Sequence, residues 1–373
     1  MKRTVLITLV SILTTFQAIA QVANGFYRVQ NNASSRYITI RDDKVGEVDW
    51  SSTNVDLSNI VTWRGFDYVK CDPGSVIFVE QHGTEYDLKT QGTGIYQISG
   101  NRRYLGLRAQ ADGTYVMKIE YNGTEFRLFD SNNDDDEGYV SHKKNDAAYQ
   151  YWKFLPIDTE SNYIGLQPTV QIGDSYYGTL YTSYPFKAAS SGLKFYYIDA
   201  IAADQCRLQE ITSEVIPAAT PVIFMCSSND PANNKVIPLT DETTAPANNL
   251  LSGTYFARIS GHKINVRYDE TSMRVLGKNE AGELAFIKAT KAELTSSHYI
   301  PANTCWLNIP SEFTGEFKVL NSAEYTGIRD IINADTKTAK ADGTIYTLTG
   351  TKANAKALRP GLYIKDGKKV VIK

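Results

Sequence analysis

The chain has 373 residues, enough for two or three domains of about 100–200 residues each. Its 39 Lys and Arg residues nearly balance 41 Asp and Glu residues, and the formal charge of −2 excludes a strong general attraction to nucleic acid or to anionic membranes. A hydrophobic content of 42% excludes a largely disordered chain, and 24 Tyr and 14 Phe residues favour strands over helices. We therefore expect an all-β protein.

The N-terminal segment predicts export. Residues 1–3 are basic at Lys2 and Arg3, residues 4–16 are largely apolar, and residues 18–20 form an Ala-x-Ala cleavage site. The apolar run is shorter than the about 20 residues that a membrane-spanning helix needs. We predict a signal peptide over residues 1–20 and a mature chain that is secreted or held at the cell surface, without a membrane span.

The rest of the chain has the sequence pattern of short strands. Apolar and polar residues alternate in brief runs that are separated by clusters of Gly, Asn, Ser and Asp. The clearest runs cover residues 25–29, 37–40, 75–79, 95–98 and 104–107. Two segments, residues 281–295 and 321–330, are the best helical candidates, although Gly and β-branched residues interrupt them.

The first region contains a repeated pattern. Residues 25–29 followed by residues 36–41 match residues 94–98 followed by residues 103–108, since each pair has Gly, an apolar residue and Tyr, and then Arg-Tyr and an apolar residue. A weaker third copy starts at Phe126. We interpret the two clear copies as hairpins.

The same region closes with Gln150-Tyr151-Trp152. Together with the repeated strands, this motif resembles the ricin-type β-trefoil lectins, in which an opening strand, a Tyr-Leu or Tyr-Ile strand and a Gln-x-Trp recur in each of three lobes. The resemblance covers residues 24–157 and implies a β-trefoil-like domain, with Gln150 and Trp152 as core residues.

The resemblance also implies carbohydrate binding through aromatic rings that stack on sugars. The candidate ligand-binding residues are Tyr37, Tyr96, Tyr104 and Tyr115. The alternative is that these tyrosines are core and cross-strand residues of an ordinary β protein, and that the trefoil has lost its lectin sites.

A second region, residues 160–322, carries an internal repeat. The element Ile-Pro-Ala-x-Thr occurs at residues 216–220 and again at residues 300–304, each time before an apolar strand. We expect a β-sandwich-like domain here, and the element resembles β-rich accessory modules of exported Bacteroidetes proteins.

Residues 328–373 predict a small C-terminal β-module. Asp366-Gly367 between two apolar runs is a strong hairpin signal. The segment resembles the C-terminal tail modules of exported Bacteroidetes proteins, some of which act in sorting. A hairpin that caps the preceding domain is the alternative.

Cysteine and histidine positions predict no metal site and no cofactor. Neither a Cys-x-x-Cys nor a paired His spacing occurs in the sequence. The four cysteines are either free thiols or form one disulfide, for which Cys206 and Cys226 are the best pair. The acidic run over residues 130–138 departs from a calcium-binding loop, so a solvated loop is favoured there.

No catalytic motif stands out, and we assign no catalytic residue. The sequence has no Gly-x-Ser-x-Gly, no His-Glu-x-x-His and no phosphate-binding Gly-rich loop. Acid pairs such as Glu210 with Glu214 or Asp269 with Glu270 are the only candidates for a glycosidase that we single out.

The sequence therefore predicts a non-catalytic binding protein outside the cytoplasm, with a glycan or a surface protein as its partner and no nucleic acid. Carbohydrate binding is the first hypothesis. A structural or adhesin-type accessory protein is the alternative, and a polysaccharide-active enzyme is the second alternative.

Overall fold

The structure is a computed structural model that describes residues 21–40, 60–95, 97–98, 101–102, 104–132, 137–144, 148–241, 243–255, 266–295, 298–325, 331–332, 345–347, 353, 361–365 and 368–372. The predicted signal peptide and Tyr96 lie outside the described residues. Within this part of the chain the regular structure consists of strands and three short 3-10 helices, Phe66–Tyr68, Pro73–Ser75 and Pro231–Asn233. The all-β expectation is confirmed.

The two helical candidates are wrong where they are described. A strand, Leu284–Ile287, lies inside the first candidate and pairs with its neighbours on both sides. The second candidate begins with a turn, in which the backbone N–H of Tyr325 donates to Asn321 O at 2.9 Å. In the first candidate, strand pairing of apolar residues outweighs local helix propensity.

The described part of the N-terminal region contains thirteen strands. They are β1 (Gly25–Asn31), β2 (Arg36–Ile40), β3 (Ile60–Arg64), β4 (Ile77–His82), β5 (Glu85–Thr90), β6 (Thr93–Gly94), β7 (Gln97–Ile98), β8 (Asn101–Arg102), β9 (Gly106–Ala109), β10 (Tyr115–Tyr121), β11 (Thr124–Asn132), β12 (Glu137–Lys143) and β13 (Tyr151–Pro156).

Six of these strands close into a barrel. Around the ring, β1 pairs with β4, β4 with β5, β9 with β10, β10 with β13, and β13 with β1, all antiparallel. The remaining gap, between β5 and β9, is closed by reciprocal backbone hydrogen bonds of 2.8 Å between Tyr86 and Leu105. Closure leaves no free strand edge in the ring.

Three hairpins, β2–β3, β7–β8 and β11–β12, complete the region. Each hairpin lies in sequence between two barrel strands, so that β1–β4, β5–β9 and β10–β13 form three lobes of the same order. A six-stranded barrel with one hairpin per lobe is the architecture of a β-trefoil. The trefoil expectation for this region, which we call the trefoil region, is confirmed.

The sequence repeat and the structural repeat differ in register. Residues 36–40 form the second strand of the first lobe, whereas residues 106–109 form the last strand of the second lobe. Both segments show the same apolar alternation because both are half-buried strands. Sequence alternation alone therefore did not identify the equivalent strands.

The barrel core is built from inward-facing apolar side chains of all three lobes. Trp152 is fully buried, and its indole N–H donates to Leu128 O at 3.1 Å. The tryptophan of the Gln-x-Trp motif therefore lies in the core, where its ring is buried and its indole N–H is hydrogen-bonded.

A buried arginine fixes the loop between β3 and β4. Arg28 is fully buried and donates to Ser75 Oγ at 3.1 Å, to Val69 O at 3.1 Å and to Asn162 Oδ1 at 2.7 Å. Burial lowers the pKa of Arg28 to about 10. Two acceptors in this loop and one in the chain beyond β13 therefore hold β1 and these two segments together.

The described part of residues 160–332 contains fourteen strands, of which the last lies beyond the predicted end of the second region at residue 322. They are β14 (Ile164–Gly165), β15 (Val170–Ile172), β16 (Ser175–Leu180), β17 (Phe186–Ala188), β18 (Lys194–Ala202), β19 (Gln205–Glu210), β20 (Val222–Cys226), β21 (Lys235–Pro238), β22 (Leu251–Thr254), β23 (Met273–Lys278), β24 (Leu284–Ile287), β25 (Thr304–Asn308), β26 (Phe317–Asn321) and β27 (Ile331–Ile332).

Two four-stranded halves of one continuous sheet, with the same strand order, make up most of this region. Their orders are β16-β20-β18-β19 and β22-β25-β23-β24, and β26 joins β19 to β24. Residues of both halves share one apolar core, which includes Ile198, Ile223, Phe286 and Leu307. The repeated Ile-Pro-Ala elements precede β20 and β25, which occupy the same position in the two halves.

The equivalence extends to single residues. Ala219 and Asn303 both have left-handed backbones, with φ of 54° and 59°. Their backbone N–H groups donate to Thr182 O at 2.9 Å and to Thr254 O at 2.8 Å, respectively. Both repeats therefore need the same turn, although only one carries the Asn that tolerates this conformation well.

The C-terminal residues form a small sheet of β28 (Ile345–Thr347), β29 (Gly361–Lys365) and β30 (Lys368–Ile372). Lys365 lies opposite Lys368, so a two-residue connection joins β29 to β30, as the Asp-Gly signal predicts. The domain boundaries at 157 and 160 and at 322 and 328 stay predictions.

All four cysteines are free thiols, so the Cys206–Cys226 disulfide does not form. Burial raises the pKa of Cys71 to about 11 and that of Cys305 to about 12, and it also raises the pKa of Cys206 and Cys226. A thiol that is protonated at neutral pH is a poor nucleophile, which agrees with a packing role.

Candidate functional site

The predicted ligand-binding tyrosines have different surroundings. Tyr37 is 9% exposed and packs in a small cluster with Val69. Tyr115 packs against the barrel core, with its ring edge-on to Phe154 at 5.4 Å. Tyr104 is 42% exposed. Of the three that the structure describes, Tyr104 is the one that offers a large ring surface to solvent.

The Tyr104 ring stacks on His82. The two ring centroids lie 4.9 Å apart with an interplanar angle of 29°. His82 ends β4, and the backbone bonds between Tyr86 and Leu105 hold the segment of Tyr104 beside β5. An aromatic pair is thus fixed where the first and second lobes meet.

Charged residues lie near this pair on one face of the β4–β5 hairpin, where Glu80 and Lys89 are partly exposed and Asp87 is buried. Glu80 lies opposite Asp87 in the strand register, and Lys89 lies beside both, with its Nζ 2.5 Å from Glu80 Oε2 and 3.5 Å from Asp87 Oδ2. His82 Nε2 lies 3.4 Å from the same Glu80 oxygen. We call Glu80, His82, Asp87, Lys89 and Tyr104 the Tyr104 site.

Lys89 sets the electrostatics of the site. Its hydrogen bond to Glu80 is the main reason that the pKa of Glu80 is lowered, against an opposing effect of partial burial. Glu80 is therefore ionised at neutral pH and can accept hydrogen bonds from hydroxyl groups.

The same residues include a ligand set that a metal ion could use. One ligand atom each of Glu80, His82 and Asp87 lies within 4.8 Å of the others. However, the Lys89 ammonium group already lies between the two carboxylates, where it supplies the positive charge. The geometry thus fits an organic ligand with hydroxyl groups better than a cation.

Sequence reasoning missed four of these five residues. Strand alternation places Glu80, His82, Asp87 and Lys89 on one face of the hairpin, opposite buried residues such as Val79. This sequence pattern is typical of any solvent-facing hairpin. The site is distinguished from such a hairpin by the contact between His82 and Tyr104 of the next lobe, which the sequence does not show.

A cleft of about 350 Å³ lies between the trefoil region and the second region. Tyr68, Cys71, Asp72, Thr179 and Asn303 are among its lining residues. The polar groups of its walls are used for structure: Asp72 accepts from the backbone N–H of Gly74 at 2.9 Å, and Thr179 Oγ1 accepts from the N–H of Cys305 at 3.3 Å.

Asn303 also joins the two regions across this boundary. Its side-chain amide forms two hydrogen bonds with the amide of Gln91, of 2.6 and 3.0 Å, and donates to Tyr181 O at 2.9 Å. Gln91 and Asn303 are 2% and 7% exposed. The pair is therefore a buried link between the regions.

The acid pairs that could form a glycosidase have other partners. Glu210 and Glu214 form salt bridges with different lysines, Lys194 at 3.2 Å and Lys187 at 2.7 Å. Asp269 accepts from the backbone N–H and the hydroxyl of Thr271 within its own turn. Glu210, Glu214 and Asp269 therefore each have a local hydrogen-bond or salt-bridge partner. The enzyme hypothesis stays a prediction.

The acidic run over residues 130–138 begins with a structural residue. Asp130 is buried and forms a salt bridge of 2.8 Å with the buried Arg36. Residues 133–136 of the run lie outside the described residues. Asp130 is thus committed to the fold by a buried ion pair.

No helix in the described part of the chain is long and apolar enough to cross a membrane. No family model and no curated protein matches this sequence. Among solved structures, a designed threefold-symmetric protein, ThreeFoil, is similar to 35% of this chain over 99% of its own length, with 15% identity and a TM-score of 0.26. The trefoil assignment above rests on strand pairing and not on this likeness.

Proposed function

We propose that the protein is an exported, non-catalytic binding protein that binds a glycan at the Tyr104 site of its trefoil region. The observation that carries this proposal is the Tyr104 ring, which is 42% exposed and stacks on His82 near the partly exposed Glu80 carboxylate. A glycan ligand follows from the chemistry of this arrangement.

Sugars have an apolar ring face and many hydroxyl groups. The apolar face packs on an aromatic ring, and the hydroxyls donate to carboxylates. Tyr104 supplies the ring, Glu80 supplies the acceptor, and the ammonium group of Lys89 can donate to a sugar oxygen. Such a site is shallow, so we expect a single-site Kd on the order of 1 mM, or about −4 kcal/mol.

The test is Tyr104→Ala in the mature chain, with binding measured on a glycan array and by titration calorimetry. Loss of the ring should weaken binding about tenfold, equivalent to about 1.4 kcal/mol. Tyr346→Ala is the matched control, because Tyr346 is 38% exposed in the C-terminal sheet. Its binding should equal that of the unmodified protein.

Tyr68→Ala separates this site from the cleft, where Tyr68 is 45% exposed. If glycan binding depended on Tyr68 and not on Tyr104, the Tyr104 assignment would be wrong. If the protein bound no glycan but captured a surface protein, the adhesin alternative would replace it, and release of reducing ends from a polysaccharide would establish the enzyme alternative.

Export is part of the proposal. The N-terminal pattern predicts that the mature chain begins at Gln21. N-terminal sequencing of the protein recovered outside the cytoplasm should return Gln21. A chain that still begins with Met1 in its native cell would contradict it.

A further inference from the structure

Three cations stand in line across adjacent strands of the third lobe. Lys118 on β10 lies opposite Arg127 on β11, and Arg127 lies opposite Lys143 on β12. Residues directly opposite in antiparallel strands point to the same face, and strands are about 4.8 Å apart, so the row spans about 10 Å. We call these residues the cation row.

Like charges in direct opposition destabilise a sheet. A single carboxylate, Glu125, lies among them: its oxygens are 3.3 Å from Lys118 Nζ and 3.3 Å from Arg127 Nε. It is also shared with Arg108, at 3.4 Å from Nη1. Partial burial acts to raise the pKa of Glu125, but hydrogen bonds from Lys118 and Arg127 lower it.

Lys143 forms the outer end of the cation row. It is exposed, its Nζ rests 4.8 Å above the Phe129 ring, and it forms no salt bridge with a described residue. Glu120, which lies opposite Glu125, is a second described carboxylate beside the row.

The cation row is continuous with the Tyr104 site. Tyr104, Gly106 and Arg108 alternate onto one face of the same extended segment, and Gly106 lies opposite Lys118. A Cβ placed on Gly106 would lie 2.8 Å from Lys118 Cε and 2.9 Å from its Cγ. The stem of Lys118 therefore passes over Gly106, between Tyr104 and Arg108.

We infer that the glycan bound by this protein is an acidic polysaccharide, which runs from the Tyr104 site along the cation row. The inference rests on the function proposed above. One sugar ring packs on Tyr104 with its hydroxyls toward Glu80, and the acidic groups of the following sugars pair with Lys118, Arg127 and Lys143. Carboxylate and sulfate groups share this chemistry.

A polysaccharide fits this surface better than a nucleic acid does. The cation row supplies three charges and the whole chain has a formal charge of −2, whereas a nucleic-acid site often contacts about 6–10 phosphates. The row also continues into a single exposed ring, Tyr104, on which the apolar face of a sugar can pack.

The experiment measures binding of the mature full chain to polygalacturonate, to fully methyl-esterified polygalacturonate, to heparin and to single-stranded DNA. The variant carries Lys118→Gln, Arg127→Gln and Lys143→Gln. Its Kd for an acidic polymer should rise at least tenfold, and the slope of log K against log salt should fall by about 2–3. Because the row is repulsive, the melting temperature should stay the same or rise.

The matched control replaces three lysines of the second region that each pair with a glutamate, Lys187, Lys194 and Lys318, by Gln. It changes the net charge by the same amount and should leave binding unchanged. Comparison of polygalacturonate with heparin shows whether carboxylate or sulfate is preferred.

If the protein bound the acidic and the methyl-esterified polymer equally well, the ligand would not be acidic and this inference would be overturned. The proposed function would stand if Tyr104→Ala still abolished that binding. Equal loss in the control variant would show a net-charge effect and overturn the assignment to the cation row. Tighter binding of DNA than of either acidic polymer would overturn the polysaccharide. Absence of binding to all four polymers would overturn the inference, while the glycan array would decide the proposed function separately.

Discussion

The Gln91–Asn303 pair should hold the trefoil region and the second region together, and Asn303→Ala tests this. The substitution removes three hydrogen bonds, of 2.6, 3.0 and 2.9 Å, that join the Asn303 side chain to Gln91 and to Tyr181 O. At about 1 kcal/mol for each bond, the free energy of unfolding should fall by about 3 kcal/mol. This is a large part of a typical total of about 5–15 kcal/mol.

Ala219 in the first repeat shows what the backbone conformation adds to this loss of stability. Ala219 takes the equivalent position with φ of 54° and keeps the equivalent backbone hydrogen bond, so an Ala can adopt the turn. Its left-handed conformation still costs an Ala about 1 kcal/mol. Asn303→Gly removes the same side-chain hydrogen bonds without that strain, and it should therefore be less destabilising than Asn303→Ala.

Urea unfolding followed by tryptophan fluorescence measures both variants. A double-mutant cycle with Gln91→Ala should give a coupling energy of about 1–2 kcal/mol, because each residue is the hydrogen-bond partner of the other. Loss of the link should also separate one unfolding transition into two. Additive effects within about 0.5 kcal/mol, or a loss below about 1 kcal/mol in Asn303→Ala, would refute the reasoning.

Two further predictions concern Trp152 in the trefoil core and Asp158 in the loop after β13. Trp152→Phe should lower the free energy of unfolding by about 3 kcal/mol, because it leaves Leu128 O buried without its indole donor and removes buried ring atoms; a change below about 1 kcal/mol in urea unfolding would contradict this. Partial burial acts to raise the pKa of Asp158, but hydrogen bonds from the N–H groups of Asn162, Glu160 and Ser161 lower it. The folded state therefore binds this proton less readily than the unfolded state, so the contribution of Asp158 is present above the unfolded pKa of about 3.9 and is lost as pH falls through the folded pKa. Asp158→Asn should be less stable by about 1 kcal/mol at pH 6 and approach the unmodified protein at acidic pH, and a difference independent of pH would contradict the charge argument.

The sequence predicted the features that depend on local alternation and on strong motifs. The all-β class follows from short alternating runs, the position of Trp152 in the core follows from the Gln-x-Trp resemblance, and the hairpin between β29 and β30 follows from Asp366-Gly367. Each of these needs only neighbouring residues or one family motif.

Features that depend on distant residues could not be predicted in the same way. Tyr37 and Tyr104 both follow an Arg in similar sequence segments, yet they are 9% and 42% exposed. The difference arises because Val69 and its neighbours cover Tyr37, whereas Tyr104 stacks on the partly exposed ring of His82. Alternation determines which side of a strand a residue faces, but not what covers that side.

The arrangement of charges across the sheets links stability to the proposed binding surface. In the second region, four described lysines and arginines pair with carboxylates, as in Lys318 with Glu283 at 2.6 Å and Arg207 with Asp199 at 2.8 Å. On one face of the trefoil region like charges instead lie directly opposite each other: the partly exposed Glu80 opposes the buried Asp87, and Arg127 opposes two cations. Such local conflicts lower stability, and natural sequences retain them mainly at functional sites. Both sets of opposed like charges lie on the face that contains Tyr104. Binding of a ligand with hydroxyl and acidic groups there would explain why the sequence retains them.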